Sequence, residues 1–92
     1  MIKLIITGTI ESIDEIRFNK LKFAIAVVNE HESLEYYSIQ LSEGYHNLID
    51  GYKVGDEITV YVKLIGIKWP DRRRDRTLYF NNLECTNVEN PN

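Results

Sequence analysis

The stretch Leu34-Glu35-Tyr36-Tyr37-Ser38-Ile39-Gln40-Leu41-Ser42-Glu43-Gly44-Tyr45-His46-Asn47-Leu48-Ile49-Asp50-Gly51 changes its hydrophobic period in the middle. Over residues 34–41 the period is two. Tyr37, Ile39 and Leu41 fall on one face and Tyr36, Ser38 and Gln40 on the other, the pattern of a strand with one buried side. After Ser42 the apolar residues Tyr45, Leu48 and Ile49 fall at spacings of three and four, which predicts a short helix over residues 43–50 capped by Ser42. Gly51 then suits the position just past a helix end.

The sequence on either side of this stretch reads as strands. Upstream, Leu21, Phe23, Ile25 and Val27 alternate with Lys22, Ala24, Ala26 and Val28, and residues 29–33 form a polar cluster of hairpin length. Residues 14–20 are polar enough for a loop. Residues 3–13 are rich in β-branched side chains, with Gly8 where a bulge or sharp bend would sit. Downstream, the turn Val54-Gly55-Asp56-Glu57 launches a fourth run over residues 58–65, ending near Gly66. Residues 69–76 read as a charged, Pro-containing loop. Residues 77–88 form a fifth run carrying Leu78, Phe80, Leu83, Cys85 and Val88, and residues 88–92 a frayed end. Five strands with a helix between the third and fourth match the OB-fold, an all-β, five-stranded Greek-key barrel, with residues 1–92 as a single domain. An SH3-like barrel is the nearest competitor, but it usually lacks a helix of this length at this point.

Ninety-two residues leave room for one domain, and 43% apolar with 27% charged residues is an ordinary globular composition. No run of about 18 apolar residues exists to span a membrane, and the apolar stretch at residues 4–6 is too short for a signal peptide. A single cysteine, Cys85, forms no internal disulfide, so the expected setting is reducing and cytoplasmic. The net charge of −3 conceals a segregation. Residues 1–62 carry five basic and ten acidic side chains. Residues 63–76 carry six basic (Lys63, Lys68, Arg72, Arg73, Arg74, Arg76) against Asp71 and Asp75, and Glu84 and Glu89 follow. Screening confines electrostatic reach to roughly 8–10 Å, so this local +4 segment is what a ligand would sense.

No arrangement of His31, His46 and Cys85 places a base beside a nucleophile in the sequence pattern. Glu30-His31-Glu32 lies on a turn without the fixed geometry a metal needs, and the dispersed glycines form no phosphate-cradling loop. The expectation is a non-enzymatic chain with no metal and no cofactor. The basic segment is more informative. Binding an unpaired strand requires cations to neutralise phosphates and aromatic faces to stack on bases. Trp69, the only tryptophan, is flanked by Lys68 and by Arg72, Arg73, Arg74 and Arg76. The competing reading is a solvated loop with Trp69 folded back on the barrel. A second patch is expected from Phe18 and Lys20 in the first loop, Lys22 on the second strand and Tyr36 on the third, the surface OB barrels use as a groove. Phe18 could stack on a base or plug the barrel end, and Tyr52, Tyr61 and Tyr79 are assigned to packing or a subunit contact.

The segment Gly55-Asp56-Glu57-Ile58-Thr59-Val60-Tyr61-Val62-Lys63-Leu64-Ile65-Gly66-Ile67-Lys68-Trp69, with the polar loop and Arg76-Thr77-Leu78-Tyr79-Phe80 after it, resembles the fourth strand, loop and fifth strand of bacterial and phage single-stranded DNA-binding proteins. Asp71 and Arg76 occupy places similar to an aspartate and an arginine of that family. The whole chain is also similar to a small uncharacterised bacterial family of single OB domains, in which the ending with Tyr79-Phe80-Asn81-Asn82-Leu83 recurs in related form. The resemblance implies sequence-tolerant binding of single-stranded DNA during replication, recombination or repair, with Trp69 stacking, Lys68 on a phosphate, and assembly as a homodimer or homotetramer. Three departures stand out: the absence of a long Gly/Pro/Gln-rich tail, the absence of a tryptophan from the third strand, and an acidic body.

Two other partners fit the same residues. The arginine run could instead meet acidic side chains of a replication or phage protein, or the strand could be RNA. Self-association is expected through the first strand, where Ile2, Leu4 and Ile6, or Ile5 and Thr7, would pair across a twofold axis.

Overall fold

The computed structural model describes residues 1–92, folded as five strands and one short 3-10 turn. The strands are β1 (Ile2–Ile13), β2 (Leu21–Val28), β3 (Leu34–Leu41), β4 (Glu57–Asp71) and β5 (Arg76–Glu89), with the turn at His46–Ile49 between β3 and β4. They close in the order β1-β2-β3-β5-β4. Every neighbouring pair is antiparallel except β3 and β5, which run parallel and meet at only two positions, Ile39 with Leu83 and Gln40 with Glu84.

Alternation dictates the core. Leu21, Phe23 and Ile25 of β2, Ile39 and Leu41 of β3, Ile58, Val60 and Val62 of β4, and Cys85 of β5 point inward, joined by Ile10 of β1. Ile49 joins them from the 3-10 turn. Full burial of a side chain such as Phe23 or Ile25 stabilises by roughly 1.5–3 kcal/mol. The turn before β4 is fixed by Gly55 at φ +97, whose N–H donates to the Ile10 carbonyl at 2.9 Å.

Four sequence expectations are corrected. The helix over residues 43–50 is a single 3-10 turn at His46–Ile49. Gly44 at φ +90 interrupts the chain before it, and the Ser42 hydroxyl, expected as a cap, donates to Glu84 Oε1 at 3.1 Å. The β1 irregularity lies between Ile10 and Ser12, beyond Gly8. Gly8 serves a close approach instead: a Cβ there would sit 2.5 Å from the Ala26 carbonyl oxygen. The frayed end begins at Asn90, since Val88 and Glu89 pair with Val60 and Thr59. Finally, the loop expected over residues 69–76 is mostly strand. β4 runs to Asp71 and β5 starts at Arg76, leaving only residues 72–75 as the turn.

That last difference shapes the molecule. β1 stops pairing with β4 at Ile2 opposite Leu64, so residues 65–71 continue past the barrel with β5 as their only partner. At about 3.3 Å per residue the hairpin projects roughly 23 Å, consistent with a long axis of 48 Å against 35 and 24 Å. Pro70 is tolerated because an unpaired strand edge needs no N–H there.

Candidate nucleic-acid interface

The first loop builds a cleft. Arg17 and Lys20 exchange backbone hydrogen bonds at 2.9 Å each way, closing a two-residue turn in which Phe18 and Asn19 have φ of 52 and 61. Positive φ at both central positions is the geometry of a hairpin turn usually filled by Gly or Asn, so Phe18 is held in an unfavourable conformation. It is also 96% exposed. Of the two alternatives for Phe18, the barrel-end plug is therefore excluded. His46 braces the turn, its Nε2 lying 3.0 Å from the Asn19 carbonyl. Around the turn Ile13, Asp14, Glu15, Arg17, Phe18, Lys20, Lys22 and Gln40 line a cleft of about 660 Å³.

From this cleft a low floor extends along the outer face of β2 and β3. The register sets Lys22 opposite Gln40, Ala24 opposite Ser38 and Ala26 opposite Tyr36. Alanine and serine leave the surface flat between the lysine and the exposed Tyr36 ring. Tyr37 turns the other way and packs against the core, as its parity predicts. Its hydroxyl donates to Glu35 Oε1 at 2.7 Å, which holds the Glu35 carboxyl below its usual range and pushes the Tyr37 phenol up.

The projecting hairpin has two chemically different faces. Cross-strand partners share a face, so Ile67 lies with Phe80 and Trp69 with Leu78 on one, while Lys68 lies with Tyr79 on the other. Trp69 is 61% exposed and stands on a strand, away from the barrel, so it is not folded back. It is also not embedded in the arginine run: Lys68, its neighbour in sequence, points to the opposite face, and Arg72, Arg73 and Arg74 cap the tip. Tyr79, expected to pack or meet a subunit, is 74% exposed.

Asp71 organises the tip. Its Oδ1 accepts from the Arg73 N–H at 3.2 Å and its Oδ2 pairs with Arg76 Nε at 3.4 Å. Arg76 is thus engaged locally, whereas Arg72, Arg73 and Arg74 have no acidic side chain within 4 Å. Lys68, Arg17, Lys20 and Lys22 are likewise unpaired. The structure gathers Phe18, Lys20 and Lys22 in one cleft and Lys68, Trp69 and Arg72–Arg74–Arg76 on one hairpin, with Tyr36 on β3. Sequence reading missed Arg17 in the cleft; it set Gln40 on the Tyr36 face of the third strand, where the cleft takes it in. Arg17 was a lone basic residue in an acidic stretch, and only the two-residue turn brings it to Lys20.

Elsewhere the chemistry is quiet. Cys85 is buried, burial pushes its thiol up to about 11, and its Sγ donates to the Asn87 carbonyl at 3.2 Å. No three metal-binding side chains converge, and no helix is long and apolar enough to cross a membrane.

No protein-family model and no curated protein matches the chain. Solved structures do. The mitochondrial single-stranded DNA-binding protein Rim1 of S. cerevisiae superposes with a TM-score of 0.71 over 97% of this chain and 93% of its own, at 20% identity. The barrel is an OB fold. A small single-stranded DNA-binding protein from Mycoplasma pneumoniae matches at a TM-score of 0.64 and 18% identity, over 97% of this chain and 92% of that one. The N-terminal domain of PriB from Thermoanaerobacter tencongensis, a dimeric structure, matches at 0.63 and 14% identity over 95% and 92%. The OB-fold expectation holds, and the SH3-like alternative falls.

Proposed function

We propose that this OB domain binds single-stranded DNA with little base preference, acting in replication, recombination or repair in the cytoplasm of a bacterium or phage-infected host. The observation that carries the reading is the projecting hairpin, with an exposed indole on one face and three unpaired arginines at its tip. Trp69, Tyr36 and Phe18 stack on bases. Lys68, Arg72, Arg73, Arg74, Lys20, Lys22 and Arg17 meet phosphates, and Arg76 holds the tip in shape through Asp71. No catalytic step is assigned to any residue.

The working unit is a homodimer. Over residues 2–8 β1 pairs with β4 alone, leaving its other edge open with Ile2, Leu4 and Ile5 exposed. An open edge of this kind is completed by a second copy running antiparallel. Light scattering is expected to give twice the chain mass.

Oligo-dT titration followed by Trp69 emission tests the binding. Quenching with a retarded band in a gel at low salt is expected. Unchanged emission together with an unretarded oligomer refutes the proposal, and preferential retention of a matched RNA reassigns the ligand.

A further inference from the structure

One row of side chains runs round the outside of the barrel. The register links Lys22 of β2 to Gln40 of β3, Gln40 to Glu84 of β5, Glu84 to Lys63 of β4, and Lys63 to Lys3 of β1. The row starts in the first-loop cleft, which Lys22 and Gln40 line. It ends in a separate groove of about 610 Å³, where Lys3 and Lys63 stand with Ile5, Tyr61, Thr86 and Asn87.

The far end is electrostatically unusual. Lys3 and Lys63 are direct cross-strand partners, and like charges so placed destabilise a sheet. Neither has an acidic side chain within 4 Å. Glu84, opposite Lys63 on β5, accepts from the Ser42 hydroxyl at 3.1 Å and forms no ion pair with the lysine. A pair of adjacent lysines in a groove that also holds the Asn87 amide is chemically matched to an anion.

We propose that Lys3 and Lys63 form a second phosphate station, reached by a DNA strand long enough to leave the cleft and pass round the barrel. The inference rests on the single-stranded DNA reading and extends it to the path of the strand. Four interstrand steps of about 4.8 Å separate Lys22 from Lys3, roughly 19 Å along the surface. Glu84 repels phosphate from the middle of that path, so contacts fall at its two ends. Antiparallel pairing of the β1 edges of two copies leaves this outer face uncovered. Stacking a second sheet on it would bury the lysine pair, which is costly without counter-charge.

The test compares the full chain with a Lys3→Gln/Lys63→Gln variant on two oligo-dT lengths, about 4 and about 30 nucleotides: four nucleotides are the low end of the roughly 4–16 that one OB fold spans and, at about 3.4 Å each, fall short of the path to Lys3. Affinity is measured across a salt series, with thermal melting as the check on folding. For the long oligomer the log–log slope is expected to fall by about 1.4, from about 0.7 per phosphate at two phosphates. The slope for the short oligomer stays unchanged, and a Lys3→Arg/Lys63→Arg variant keeps the original slope on both. An unchanged slope on the long oligomer overturns the inference, and so does an equal change on both lengths, while DNA binding itself stands. Should the variant gain only a larger assembly by light scattering, the lysines serve to keep copies apart and the inference also fails. If the unaltered chain retains neither oligomer, the DNA reading falls and takes this one with it.

Discussion

Replacing Arg72, Arg73 and Arg74 together with glutamine removes the three unpaired charges at the hairpin tip while leaving the Asp71–Arg76 pair that shapes it. The unpaired cations of the cleft and hairpin (Arg17, Lys20, Lys22, Lys68 and the three arginines) offer seven phosphate contacts from these two sites alone. At about 0.7 per phosphate the log–log salt slope is then about −5, and the triple variant moves it to about −3. Between 50 and 200 mM salt the original chain would lose affinity by about 1000-fold and the variant by only about 50-fold. Arg76→Gln serves as the contrast. Its guanidinium already faces a carboxylate in an exposed pair of the kind worth at most about 1 kcal/mol, so the slope barely changes. The assay is fluorescence anisotropy of a labelled dT oligomer of about 12 nucleotides at five salt concentrations, a length within the span of one OB fold. Parallel salt lines for the original and triple variants would show that the tip does not meet phosphate, and the electrostatic half of the functional reading would be refuted.

Trp69→Ala is expected to weaken binding by about 1–3 kcal/mol, the range for loss of one stacking contact. Its melting temperature should hardly move, because the indole stands outside the barrel core; calorimetry with the same titration checks both. Gly8→Ala forces a Cβ to within 2.5 Å of the Ala26 carbonyl and is expected to cost about 1–3 kcal/mol in urea unfolding, the usual range for overpacking. An unchanged midpoint would show that β1 and β2 separate freely there. The raised Cys85 thiol links stability to alkaline pH. Between its ordinary value of 9.0 and about 11 the folded chain keeps a proton that the unfolded chain releases, so its contribution is intact below pH 9 and declines above it. Cys85→Val is expected to flatten that decline relative to the original chain, and identical pH profiles would count against the burial-driven shift.

The parts of the fold visible in the sequence are those where one face of a sheet is buried. β2 and β3 were delimited to the residue because alternation such as Leu21, Phe23, Ile25 reports a half-buried strand directly. The hairpin was not, because its residues 65–71 and 76–82 lie beyond the barrel and no core imposes a pattern on them. Pro70 and the neighbouring charges therefore read as loop, although an open strand edge accommodates both. The helix was overextended because Tyr45, Leu48 and Ile49 satisfy a helical spacing that one 3-10 turn satisfies equally well. For the site, Trp69, the arginines and Tyr36 were legible as exposed candidates. The division of the hairpin into a Trp69 face and a Lys68–Tyr79 face was not, since it depends on strand register across the turn. Arg17 carries no local signal; a reversal of the chain brings it into the cleft.

The parallel seam of the barrel consists of two residue pairs, Ile39–Leu83 and Gln40–Glu84, whereas β4 and β5 hold each other along nearly their whole length. The cylinder is laced firmly on four sides and merely pinned on the fifth. Amide exchange is expected to start beside this pin, where the fewest backbone bonds must open.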